Sequence, residues 1–287
     1  MSYLDRIRAC NDGDTRRHHA LFAAGHLVGW LQPGFAHALR RWPGVFRVGG
    51  GAVWVREDLG GFESRSRAVD EVVRACVEEG LIGHYLDERY PVTPGRREDA
   101  VMWLDRGAAA RFGIRAFGQH LNGFVRRDDG LWMWVARRSD DRRHAPGKLD
   151  NLVAGGLPLG LSLQENLVKE CAEEAGMSPA LARRAVLTGM ISYLAAHPMG
   201  LKPDVMYCYD LELPQDFAPR CTDGEVAGFE LMPMDEVLAR VRDTTDFKAN
   251  CNLVIIDFAV RHGLITPDLP DYEAVLLGLR RRLPFPG

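Results

Sequence analysis

Apolar residues at Val69, Val72, Val73, Cys76 and Val77 recur at helical spacing between Ser66 and Glu79, and Gly80 follows where a helix would stop. The spacing predicts a helix there. Residues 2–10 read as a short polar helix, and Ala20 to Arg41 reads as helix, turn at Pro33-Gly34, helix. Val45–Val48 and Ala52–Val55 predict two strands around a glycine turn. Tyr90-Pro91-Val92 breaks the pattern, Val101–Leu104 suggests a strand, and Arg106–Phe112 a short helix ending at Gly113. This first region, residues 1–115, mixes helix and strand and is expected to form a smaller α+β domain.

From residue 116 the texture shifts to strands. Phe117–Val125 and Leu131–Arg138 flank Arg126-Arg127-Asp128-Asp129-Gly130, whose Asp-Gly pair signals a hairpin. Leu149–Ala154 predicts another strand, followed by the glycine-rich Gly155-Gly156-Leu157-Pro158-Leu159-Gly160. A helix is expected from the capping box Ser162-Leu163-Gln164-Glu165 to Gly176. Strands over Val186–Tyr193, Val205–Leu213 and Val226–Met232, then helices over Met234–Val241, Asn250–His262 and Tyr272–Arg282, complete the chain. Residues 116–287 thus predict an α/β domain, a mixed sheet flanked by helices.

Length and charge narrow the class. The 287 residues suit one large or two moderate domains, and a net charge of −3 gives no basic footprint for a nucleic-acid polymer. No apolar run reaches the roughly 18 residues of a membrane span. Cys10, Cys76, Cys171, Cys208, Cys221 and Cys251 form no C-x-x-C pair, so a reduced, cytoplasmic protein without disulfides is expected.

The chemistry is concentrated in Lys169-Glu170-Cys171-Ala172-Glu173-Glu174-Ala175-Gly176-Met177. Glu170, Glu173 and Glu174 stand at i, i+3 and i+4, so one helical face gathers three carboxylates. Crowded like charges call for a positive partner, and a hard divalent cation suits carboxylate oxygens and bridges to phosphates. The pattern points to magnesium, with manganese as an alternative, and to a phosphate-cleaving site.

At these residues the chain resembles the Nudix hydrolase family, whose box runs Gly, five residues, Glu, seven residues, Arg-Glu, aliphatic, any, Glu-Glu, any, Gly, aliphatic. Gly155 takes the first position and Glu170, Glu173, Glu174 and Gly176 fix the register. Leu161 stands where the family usually has its first glutamate, and Lys169 replaces the arginine. The resemblance implies a Nudix α/β/α sandwich in which Glu170, Glu173 and Glu174 hold metal. The Gly155 carbonyl is expected to help, because glycine lets the main chain come close. Lys169, four residues before Glu173, supplies a point charge in place of a bidentate fork. Asp87–Val92, His120–Phe124, Pro146–Asn151 and Phe247–Asn252 are further similar to a Nudix subfamily with an N-terminal domain of unknown function. That subfamily includes the Nudix portion of fungal thiamine pyrophosphokinase fusions. It implies a thiamine diphosphate hydrolase that forms the monophosphate, or one acting on oxy or oxo analogues.

Other residues remain open between chemistry and structure. Glu225, before the strand Val226–Met232, reads as a ligand or base, or as a solvated turn residue. Arg137, Arg138 and Lys148 are candidate phosphate clamps or ordinary exposed cations. His120 and Asn122 share one strand face and are candidates for a heterocyclic ring, or core residues. Lys248 is a further candidate for a phosphate, and Asn250 reads as a helix cap. The partner expected is a small organic diphosphate, with a homodimer allowed for. A nucleoside or dinucleotide pyrophosphatase and a non-catalytic ligand sensor are the competing functions.

Overall fold

The computed structural model of the chain describes residues 1–286. Helix α1 (Tyr3–Ala9) begins with a capping box between Ser2 and Asp5. The next elements depart from expectation. Strands β1 (His19–Ala23) and β2 (His26–Leu31) form a hairpin through Ala24 and Gly25, which have φ of 49° and 79°. Two positive-φ residues make the tight turn whose twist suits paired strands. The helix–turn–helix expected over Ala20–Arg41 is therefore corrected; the α-helical part is α2 (Pro33–Ala38), with proline at its start.

Strands β3 (Phe46–Gly49) and β4 (Ala52–Val55) complete a sheet in the order β2-β1-β4-β3. Helix α3 (Phe62–Glu78) buries Val69, Val72, Val73 and Cys76 in the core that the sheet shares. The segment expected to break the pattern is itself a strand, β5 (Arg89–Val92), paired antiparallel with β6 (Met102–Asp105). Helix α4 (Ala109–Phe112) ends at Gly113 in the left-handed conformation.

The second unit is built on a seven-stranded mixed sheet. Strands β7 (Ala116–Arg127) and β8 (Gly130–Arg138) form the expected hairpin. Leu149–Ala154 is two strands, not one: β9 (Leu149–Asn151) pairs with β8, whereas β10 (Val153–Gly156) pairs with β7. Helix α5 (Leu163–Ala175) is closed by left-handed Gly176, and the four-residue α6 (Pro179–Ala182) follows. Strands β11 (Val186–His197), β12 (Gly200–Glu212) and β13 (Val226–Pro233) give the order β11-β12-β7-β8-β13, with β7 and β12 parallel. Helices α7 (Met234–Asp243), α8 (Ala249–Arg261) and α9 (Tyr272–Gly278) come last; α9 stops short of Arg282.

Leu167, Cys171 and Ala175 of α5 pack on Leu121, Val125, Tyr209 and Leu211, one face of the sheet. The other face carries α7 and α8, so the second unit is an α/β/α sandwich. Tyr3, Leu4 and Ile7 of α1 join that second core. Although α1 opens the first stretch of sequence, its apolar face is buried against α8 and α9, far along the chain.

The seam between the units is apolar and bonded. Leu27 and Trp30 pack against a cluster containing Phe117, Leu157, Leu201 and Phe285. Trp30 donates to the Pro284 carbonyl at 3.1 Å, and Leu159 N donates to the Arg89 carbonyl at 2.7 Å.

Candidate active site

Strand β10 sets the geometry. It pairs with β7 on one side, and its outer edge faces α5. Ala154 N–H points outward and donates to Glu174 Oε2 at 2.8 Å. In an antiparallel strand a residue's N–H and C=O point the same way and its neighbours' point the opposite way. The Ala154 carbonyl therefore faces the same outer edge, as does that of Gly156, which accepts from Asn166 Nδ2 at 2.8 Å. The Gly155 carbonyl is turned toward β7, where it lies 3.2 Å from the position a Cβ on Gly118 would take. This corrects the expectation that Gly155 offers its carbonyl to a metal. Gly155 is required for another reason: a side chain there would start inside the Glu170 carboxylate.

Glu170 and Glu174 reach this strand, at Gly155 and at the Ala154 N–H, while Glu173 stands beside them in a more exposed position, held by Lys169. Glu174 is buried, and its carboxyl is pushed up to about 8 by burial, with Asp150 and Glu170 adding to the shift. Burial also raises Glu170, while Lys169 works against the rise. Lys169 Nζ sits 3.3 Å from Glu170 and 2.7 Å from Glu173, bridging both. One lysine serves two of the three carboxylates. A donor set of crowded acids, one of them buried and driven toward neutrality, fits a divalent cation.

Leu161 leaves the loop before α5 without its usual glutamate, and the first unit supplies the missing anchor. Arg97 Nη2 donates to the carbonyls of Pro158 (2.8 Å) and Leu161 (3.1 Å). Glu165 is occupied in the capping box, its carboxylate 2.9 Å from Ser162 N. The role of Arg97 is invisible in the sequence, because it stands 61 residues from Pro158.

The other candidates fall elsewhere. His120 and Asn122 face α8 inside a buried polar network, which corrects their reading as ring contacts. His120 Nδ1 lies 2.8 Å from Asn151 Oδ1, Asn151 Nδ2 donates to Asn122 Oδ1 at 2.9 Å, and Asn122 Nδ2 to Asp210 Oδ1 at 3.1 Å. Arg138 is likewise withdrawn from substrate, bound to Asp150 at 2.9 Å and to the His144 and Ala145 carbonyls. Lys248 also serves the interior, 3.0 Å from Asp150 Oδ2, and it is the residue preceding α8; Asn250 lies within the helix and does not cap it. Arg137 and Lys148, with Pro146, Gly147 and Asp246, line a cleft of about 400 Å3 that no glutamate of α5 borders. Both donate to backbone carbonyls, of Gly147 and Thr245 respectively. Glu225 is paired with Arg142 at 2.6 Å.

His120, Asp150 and Cys251 place three ligand atoms within 4.8 Å of one another. Lys248 and Arg138 already bring two positive charges to Asp150, and the Cys251 thiol, kept protonated by burial, donates to it at 2.6 Å. Those contacts make the cluster a closed polar core, without room in its charge balance for a second cation.

The family assignment follows from comparison with known proteins. A model of the NUDIX domain matches residues 119–251, and one of a domain of unknown function (DUF4743) matches residues 2–116. Nudix hydrolase 24, chloroplastic, of Arabidopsis thaliana is 43% identical over 285 residues, covering 98% of this chain and 77% of the relative. The chain belongs to the Nudix hydrolase family. Nudix hydrolase 20, chloroplastic, of the same plant is 40% identical over 291 residues, 98% of this chain and 78% of its own. The Nudix domain of Shewanella oneidensis NrtR, solved with ADP ribose, is 16% identical with a TM-score of 0.41, covering 56% of this chain and 94% of that one.

This Nudix hydrolase is a pyrophosphohydrolase, of a family that works with divalent metal ions. The two Arabidopsis relatives are chloroplastic, which overturns the cytoplasmic expectation. The six cysteines are free, which by itself does not distinguish one compartment from another. Among the described residues no helix is long and apolar enough to cross a membrane.

Proposed function

We propose that this Nudix hydrolase cleaves the diphosphate of a small organic molecule with magnesium, releasing a monophosphate and phosphate. Thiamine diphosphate and its oxy and oxo analogues are the substrates proposed. The observation that carries the reaction is the approach of Glu170 and Glu174 to β10, with Glu173 beside them and Glu174 pushed up to about 8.

In this reading Glu170 and Glu174 would hold the ion, with Glu173 beside them, and the Ala154 carbonyl would offer the backbone oxygen. The bound metal supplies charge for the phosphoryl oxygens and acidity for a water. The chain's own contribution is positional. Gly155 lets Glu170 lie against the strand, the Ala154 N–H fixes the rotamer of Glu174, and Lys169 limits repulsion within the cluster. Water adds to one phosphorus as its bond to the bridging oxygen breaks; that oxygen stays on the other phosphate, and the water's proton passes to the phosphate products or to solvent. Glu225 can act as base only if its pair with Arg142 opens.

The thiamine reading is supported by the resemblance carried by Asp87–Val92, His120–Phe124, Pro146–Asn151 and Phe247–Asn252. Phosphate release with magnesium, compared across thiamine diphosphate, its oxy analogue, ADP-ribose, NADH and a nucleoside triphosphate, tests it. Preference for the thiamine compounds is expected. Preference for a nucleotide would keep the reaction and discard that substrate.

A further inference from the structure

The first unit reaches the hydrolase site through three side chains. Tyr90 of β5 places its hydroxyl where a side chain on Gly156 would begin, and Arg106 Nη1 lies 3.5 Å from the same point. Arg106 is held by Glu88, Nη1 to Oε2 at 2.7 Å, on the chain segment entering β5. Gly156 follows Gly155, and neighbouring residues of a strand face opposite sides, so this group meets β10 on the face opposite Glu170, one residue along the strand. The Glu88 carboxylate and Glu170 are close enough for Glu88 to raise the Glu170 carboxyl.

Arg106 differs from the other arginines at this seam. Arg97, Arg111 and Arg115 all donate to backbone carbonyls and serve as ties: Arg97 to Pro158 and Leu161, Arg111 to Leu81 and Met199, Arg115 to Gly95. Arg106 has a single partner among the described residues, a carboxylate, which leaves Nε and Nη2 unbonded. Its side chain is 44% exposed, against 28% for Glu88. A planar guanidinium with free donors against the strand that carries the carboxylate cluster is matched to a phosphoryl group, which it can take through two parallel bonds. The acids that face it, Glu88 and Glu225, cannot bind a diphosphate without such a cation or a metal.

We propose that Arg106, contributed by the first unit, is a substrate-binding residue that takes the non-bridging oxygens of the diphosphate at the edge of β10. The inference rests on the proposed hydrolase reading. It gives the first unit a direct part in the reaction: the site is incomplete without Arg106, and Tyr90 and Gly156 hold the segment bearing it in register.

Calorimetric binding of inorganic pyrophosphate in the presence of magnesium, to the full chain, tests the inference. Arg106→Gln should weaken pyrophosphate at least tenfold, leave binding of magnesium alone unchanged and keep the wild-type melting temperature. Arg106→Lys should recover part of the affinity. Millimolar guanidinium should restore binding to Arg106→Ala, which a structural role would not allow. Unchanged pyrophosphate affinity in Arg106→Gln, with the wild type binding normally, would overturn the role of Arg106 alone. A wild-type protein that binds neither magnesium nor pyrophosphate would overturn the hydrolase reading with it.

Discussion

The hydroxyl of Tyr90 occupies the space where a side chain on Gly156 would begin. Two segments distant in sequence, one from each unit, are thus fitted to each other at the strand that carries the carboxylate cluster. Gly156 is fixed by that close approach, since its φ is not in the left-handed region.

Gly156→Ala should therefore overpack the seam and cost about 1–3 kcal/mol of stability, with loss of hydrolysis. Removing the hydroxyl leaves Tyr90 Cζ 3.2 Å from the new methyl group. The double variant Gly156→Ala, Tyr90→Phe should recover most of the loss. Chemical denaturation of the four proteins in the cycle checks this, and additive effects would contradict it.

Arg97 replaces, from the first unit, the anchor that Leu161 cannot provide. Arg97→Ala removes two charge-assisted bonds to the Pro158 and Leu161 carbonyls, worth on the order of 2 kcal/mol to the loop's closed form. Amide exchange at Leu159–Leu161 should rise roughly thirtyfold if the loop opens by that amount. Exchange in α8 should stay unchanged, which separates loosening of the loop from general unfolding.

How much of this was legible in the chain follows from how local each signal is. The glutamate helix, its capping box and Gly176 were read correctly, because caps and helical spacing act within a few residues. The β1–β2 hairpin was not, because Ala24 rather than the usual asparagine or aspartate precedes Gly25 in its turn. The contributions of Arg97, Tyr90 and Arg106 join segments distant in sequence, and nothing local marks them. Three of the motif segments singled out, around His120, Asp150 and Lys248, turned out to build one buried network behind the sheet. A sequence pattern shows that such residues are specified together, not whether substrate or the core specifies them.

That network makes stability sensitive to pH. Burial lowers His120 to about 4, with Lys248 adding to the shift. The unfolded chain takes a proton near pH 6.5 that the folded chain refuses until about pH 4, so this contribution is full above pH 6.5 and is lost as pH falls toward 4. The expected slope approaches about 1.4 kcal/mol per pH unit in the middle of that window. Urea denaturation of wild type and His120→Asn across the window measures it; equal slopes would contradict the assignment.

Asp150 balances Lys248 and Arg138 in the interior, and despite the cost of burial its carboxyl is held down to about 2. Asp150→Asn leaves two buried cations short of a counter-charge and should cost about 3–5 kcal/mol. Adding Lys248→Met should return part of it. Denaturant midpoints of the single and double variants decide the matter, and a near-neutral Asp150→Asn would show that the cations find other partners.

The most direct test of the metal-dependent reaction is phosphate release by wild type and Glu174→Gln, titrated with magnesium against the preferred diphosphate. Glutamine keeps the size of the side chain and an oxygen for the Ala154 N–H, while removing the negative charge. Glu174→Gln should lose at least about 100-fold in rate, the scale of removing a few kcal/mol of charge stabilisation, with the fold intact. A Glu174→Gln protein that hydrolyses at the wild-type rate, or a wild type indifferent to magnesium, would contradict the metal-dependent reaction.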